Sequence, residues 1–157
     1  MNPPLHIVLF EPEIPPNTGN IARLCACTGC HLHLVHPLGF EINDKQLKRA
    51  GLDYWPYLKI REYANWHALR QHLDTGATWY GLSTKATQSI WEAGFASGDV
   101  LVMGPETRGL PQGVLKDLNA LRIPMRQDAP VRSLNLASAS AVAVYEALRQ
   151  MQYLGKR

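Results

Sequence analysis

Cysteine is scarce in this 157-residue chain, and the three present, Cys25, Cys27 and Cys30, crowd together. An odd, clustered count is a poor disulfide framework and points to a reducing compartment, the cytoplasm. No apolar run approaches the ~18 residues of a membrane span, so no membrane partner is expected. The opening Met1-Asn2-Pro3-Pro4 has neither a basic n-region nor an apolar h-region, and no signal peptide is expected. Repeats, low-complexity tracts and linkers are missing as well. No G-x-G-x-x-G occurs, which argues against a Rossmann dinucleotide loop. Gly104 and Gly109 have P-loop spacing, but Leu110-Pro111 stand where a P-loop needs Lys and Ser or Thr.

Metal is not indicated either. Cys25 and Cys27 on a helix would be about 200° apart around its axis, whereas tetrahedral zinc prefers a C-x₂₋₄-C pair and a second matching pair, which three cysteines do not make. The three read as small structural thiols at a helix end. His31 and His33 share one face of a strand and read as a sheet-surface pair.

What is present is a globular composition, 46% hydrophobic and 18% charged, of a size for one domain spanning 1–157. The net charge is a mild +3. It is unevenly placed: residues 1–78 carry seven Lys or Arg and seven Asp or Glu, whereas residues 79–157 carry nine and six. A local basic patch can steer a polyanion even when net charge is small.

Strand-like segments alternate with helical ones. Strands are expected at Leu5–Phe10, His31–His36, Leu58–Glu62, Thr78–Leu82, Val100–Met103 and Arg122–Met125. Helices are expected at Ile21–Cys27, Asp44–Ala50, Asn65–Leu73, from Pro111 to about Leu118, and over Asn135–Gln152 with Asn135 or Ser133 as N-cap. This alternation predicts an α/β domain on a mostly parallel sheet flanked by helices. Ligands of such sheets gather at the C-terminal ends of the strands. Three polar loops follow strands there: 11–20, 104–111 and 126–135.

Those loops carry a resemblance. Asn17-Thr-Gly-Asn20-Ile-Ala-Arg23, Gly104-Pro-Glu106-Thr-Arg-Gly-Leu110 and Ser133-Leu-Asn135-Leu-Ala-Ser138 are similar, in order, to the three motifs of the SPOUT RNA methyltransferases. The opening FEPEIPPNTGNIARLCA and Lys48-Arg-Ala-Gly-Leu-Asp-Tyr54 most resemble the short TrmL-like branch, which methylates the wobble-nucleotide ribose of leucine tRNAs. The likeness runs from Leu5 to Tyr153. It implies a SPOUT fold with a C-terminal deep trefoil knot, which periodicity could not have shown. It implies S-adenosyl-L-methionine as cofactor, tRNA as substrate and a homodimer.

Carried over residue by residue, the cofactor pocket falls on Leu82, Gly104, Glu106, Ile123, Ser133 and Leu134. Glu106 would organise its loop beside the sulfonium. The catalytic residue would be Arg23, gripping a substrate phosphate and polarising the 2'-hydroxyl, since a guanidinium is an awkward base. Asn17, Arg132 and Tyr145 are the candidates for substrate contact. The small-residue run Ala137–Ala141 suits a close helix–helix seam between two copies. The chain departs from the pattern in a longer loop at 126–132 and in Asn135-Leu-Ala-Ser138 for the usual Asn-Leu-Ser-Asn. Two other readings stay open: methylation of a different tRNA or rRNA site, and a non-catalytic RNA-binding dimer on the same fold.

Overall fold

A computed structural model of the chain describes residues 2–42, 45, 49, 52–73 and 76–155. The helix expected at Asp44–Ala50, and with it Lys48, falls largely outside these residues. Six strands form one sheet: β1 (Leu5–Phe10), β2 (His31–Val35), β3 (Ile60–Tyr63), β4 (Trp79–Leu82), β5 (Asp99–Met103) and β6 (Asn119–Leu121). Their order is β3-β2-β1-β5-β4-β6, and every pair is parallel. The helices are α1 (Pro15–Thr28), α2 (Trp66–His72), α3 (Gln112–Leu115) and α4 (Leu136–Met151), with a 3₁₀ turn at Leu52–Tyr57.

The alternation of side chains along each strand divides the core in two. Leu5, Ile7 and Leu9 of β1, with Leu101 and Met103 of β5, face α1 and α4. Val8 and Phe10, with Val100 and Val102, face α2 and α3 through Leu69, Leu73 and Val114. Both central strands are buried along their whole length, in keeping with the apolar residues that make up most of each. Strand order reverses between β1 and β5, and the crevice beyond their C-terminal ends is where a sheet of this kind receives a ligand.

Several elements differ from the sequence expectation. α1 begins at Pro15, six residues before Ile21, because prolines at its first two positions remove N–H groups that would have no partner there. It ends at Gly29, whose φ of 78° turns the chain out and whose N–H reaches the Cys25 carbonyl. Pro111 is the N-cap of α3 and not its first helical residue, and α3 stops at Leu115. The last strand lies at Asn119–Leu121 instead of Arg122–Met125. Pairing with β4 decides that register, and beyond it only Arg122 makes a further bridge, to Ser89. Asn135 caps α4 through its side-chain oxygen, which accepts from the N–H groups of Ala137 and Ser138.

His33 is not a surface residue. It is buried, with its ring in a chain running from His6 Nδ1 to His33 Nε2 at 3.0 Å and from His33 Nδ1 to the Tyr63 hydroxyl at 2.9 Å. Burial lowers the His33 pKa to about 3 and that of His6 to about 4, and the neighbouring imidazoles push in the same direction. Unfolded, both rings would take up a proton near 6.5. The unfolded chain therefore binds more protons than the native one as pH falls from about 6.5 toward about 4, and stability is lost across that window. Urea unfolding at pH 7 and pH 4.5 measures this loss. His33→Gln, which keeps one donor and one acceptor, is expected to be less stable at pH 7 but to show a smaller drop between the two.

Candidate functional site

Beyond the C-terminal ends of the strands, three loops are tied together by side chains far apart in sequence. The N-cap of α1 is Ile14, which has no side chain able to cap. Glu106, from the loop after β5, takes that role. Its Oε1 accepts from the Glu13 N–H at 2.8 Å, and its Oε2 accepts from the Ile14 N–H at 2.8 Å and from Asn17 Nδ2 at 3.2 Å. A carboxylate at a helix N-terminus is also favoured by the helix dipole.

The tie is reciprocal. Glu13 Oε1 accepts from the Thr107 N–H at 2.9 Å and from its hydroxyl at 2.8 Å. These two bonds hold the Glu13 carboxyl below its usual range, with Arg108 adding to the effect. Arg108 also reaches Glu11 at 3.2 Å. The third loop joins through Asn135, whose Nδ2 donates to Asn17 Oδ1 at 3.1 Å. Asn17 is buried, and both ends of its amide are engaged within the protein.

These loops, with the segment after β4, enclose a cavity of about 710 Å³. Eight of the ten residues expected from sequence line it: Asn17, Leu82, Gly104, Glu106, Ile123, Arg132, Ser133 and Leu134. Its apolar side includes Leu82, Ile123 and Leu134. Gly104 is required by the loop itself: a Cβ there would lie 2.5 Å from the Leu110 nitrogen and 2.6 Å from the Gly109 carbonyl carbon. The space that glycine leaves open is thus filled by its own chain.

Arg23 and Tyr145 are not among the lining residues. Arg23 is exposed on α1 in line with Asn20 and Cys27, and Tyr145 is exposed on α4 next to Val142. The two helices pack together and present these side chains outward. Cys25 and Cys27 point to opposite sides, one buried and one exposed, as their spacing requires. Among the described residues, no three His, Cys, Asp or Glu side chains converge in a way that could hold a metal ion. No helix there is long and apolar enough to cross a membrane. Sequence reasoning missed Lys85 and Arg122, which line the cavity from the strand ends of β4 and β6. It also missed Glu13, whose partner Thr107 is 94 residues away.

The family model described as the SpoU rRNA Methylase family matches residues 4–145. A tRNA (cytidine(34)-2'-O)-methyltransferase of Saccharophagus degradans is 52% identical, over 97% of this chain and 99% of its own length. A solved structure concerned with 2-OH methylation of C/U34 on tRNA superposes with a TM-score of 0.90 at 50% identity, covering 94% of this chain and 96% of that one. The methyltransferase AviRb of Streptomyces viridochromogenes, solved with AdoMet, shares the fold at a TM-score of 0.82 and 22% identity, covering 100% of this chain and 61% of that one. The three interlocked loops lie within the matched span, and the chain belongs to the SpoU rRNA Methylase family.

Proposed function

We propose that this chain transfers a methyl group from S-adenosylmethionine to the ribose 2'-hydroxyl of wobble nucleotide 34 of tRNA, with leucine tRNAs as the substrates. One observation carries the reading: a cavity lined by all three motif loops, in a chain that matches a cytidine-34 methyltransferase almost end to end. The cavity suits the cofactor. Its volume of about 710 Å³ lies in the range of small-molecule sites, roughly 300–1,000 Å³. Leu82, Ile123 and Leu134 offer an apolar wall for an adenine, and Ser133 a polar edge. When bound, S-adenosylmethionine supplies a methyl on a sulfonium that leaves as the neutral thioether S-adenosylhomocysteine.

The remaining work falls to the chain. The 2'-oxygen forms a bond to the methyl carbon as the carbon–sulfur bond breaks, and the hydroxyl proton leaves to phosphate or water. Holding the hydroxyl in line supplies much of the rate. Arg23 grips the adjacent phosphate with its planar fork and polarises the hydroxyl. Arg132 adds charge at the cavity, and Tyr145 contacts the target nucleotide. Glu106 and Asn17 keep the loops in register.

Arg23 and Tyr145 stand on the outward face of α1 and α4, not in the cavity, so one chain does not bring them to the cofactor. We therefore read the enzyme as a homodimer, in which the small residues 137–141 of α4 allow close approach and the partner completes the site. The family also implies one SPOUT domain over 1–157, a deep trefoil knot in its C-terminal part, and a cytoplasmic location, where tRNA is found.

The decisive measurement is nucleoside mass spectrometry of tRNA from a strain lacking the protein. A 2'-O-methyl lost at position 34 of leucine tRNAs supports the reading, and an unchanged pattern ends it. Arg23→Lys keeps the charge and loses the fork; kcat should fall about 10²-fold or more while calorimetric cofactor affinity stays. Glu106→Gln faces one backbone N–H with an NH₂ group. By urea titration it should cost about 1–3 kcal/mol of stability, and it should raise the cofactor KM.

A further inference from the structure

The loop from β4 to β5 holds a large aromatic side chain in water on a well-fixed backbone. Ser83 N–H donates to the Leu121 carbonyl at 2.9 Å, Arg122 N–H to the Gln88 carbonyl at 2.8 Å, and Ile90 N–H to the Arg122 carbonyl at 2.9 Å. Ser89 pairs with Arg122 as an isolated parallel bridge, and Ser89 and Ile90 are both buried. The next residue, Trp91, is 66% exposed. Its N–H is held by the Ser89 hydroxyl at 3.1 Å. Glu92, next in the chain, accepts from the Ser89 N–H at 3.0 Å.

A single exposed apolar residue needs no explanation by itself. The cations around Trp91 give it one. Lys85 and Arg122, on the two backbone segments that this loop ties together, both line the cavity. Arg108, Arg126 and Arg149 are paired with carboxylates, whereas Lys85 and Arg122 have no carboxylate partner among the described residues. The one carboxylate lining the cavity, Glu106, is occupied by two backbone N–H groups and Asn17. Cations lining the cavity without a carboxylate partner, and an exposed indole one residue beyond the backbone tie of Ile90 to Arg122, are complementary to a single-stranded polyanion with flat bases.

Resting on the RNA methyl-transfer reading above, we propose that Trp91, Lys85 and Arg122 form a strip that receives the single-stranded RNA flanking the reacting nucleotide. Lys85 and Arg122 hold its phosphates, and Trp91 stacks on an unpaired base. Stacking tolerates any base, so the strip fixes the position of the strand and not its sequence. Two cations without a carboxylate partner among the described residues favour a polyanion over a second protein copy as the occupant.

The test uses the full-length protein and fluorescently labelled tRNA. Anisotropy gives affinity between 50 and 200 mM salt, and calorimetry gives cofactor affinity. Trp91→Ala should weaken tRNA binding about 5- to 100-fold. Trp91→Phe, which keeps a ring, should recover most of the loss. Lys85→Gln and Arg122→Gln should each lower the slope of log affinity against log salt by about 0.7, whereas Trp91→Ala, outside the cavity, should leave cofactor affinity unchanged. Unchanged tRNA affinity in Trp91→Ala and Lys85→Gln would overturn the proposal. So would loss of cofactor binding in Trp91→Ala, or a change of its assembly mass by light scattering, which would assign the indole to a protein contact. Binding does not require the chemistry: a wild-type protein that binds tRNA through these residues but methylates none refutes the enzyme and keeps the strip.

Discussion

One carboxylate holds the functional end of this protein together. α1 starts with an isoleucine N-cap and two prolines, so nothing local secures its entry. Glu106 reaches across from the loop after β5 and satisfies two backbone donors and the Asn17 amide. Asn17 in turn accepts from Asn135, whose own oxygen caps α4. The two long helices on one face of the sheet are thereby fixed at their N-terminal ends by a single polar chain. Of its members Asn17 is buried, and both ends of its amide are engaged, so the chain fixes geometry at that point. The cavity is the space these bonds leave between the loops, so its shape follows from helix capping as much as from packing.

The charges are arranged to the same end. Negative groups near the cavity are engaged within the protein: Glu106 by backbone amides and Asn17, Glu13 by Thr107, and Glu11 by Arg108. Lys85, Arg122 and Arg132 line the cavity without a carboxylate partner among the described residues and so face an anion there. A net charge of only +3 is enough because its local balance is uneven. Placing α1 and α4 on the same face also puts the proposed catalytic Arg23 beside the proposed seam between two copies. In that arrangement one surface serves assembly and reaction.

Much of this was legible in the sequence, for local reasons. The continuous apolar run Val100–Met103 marked a strand buried on both faces, and β5 lies with β1 at the centre of the sheet. Asn135 ahead of a long apolar-periodic segment announced a cap, and it is one. The motif loops after the strands predicted a common cavity, and eight of ten expected residues line it. What was not legible is long-range. The fixing of Glu106 to residues 92 and 93 positions away leaves no pattern in a linear reading. β6 was misplaced because Asn119-Ala120-Leu121 has weak strand character and only its pairing with β4 makes it a strand. The burial of His33 depended on Tyr63 and the helix beyond it, which arrive from another part of the chain.

The distance between Glu106 and the amides it holds has a meaning for synthesis. The ribosome extends a chain at about 5–20 residues per second, so the carboxylate emerges about 5–20 s after Glu13, 93 residues earlier. Asn135, 118 residues beyond Asn17, comes later still. During that interval β1, β2 and α1 can begin to associate, but the start of α1 has no cap. The part of the molecule that defines the cavity is therefore the last to become ordered, and a truncated nascent chain could have much of the sheet without having a site.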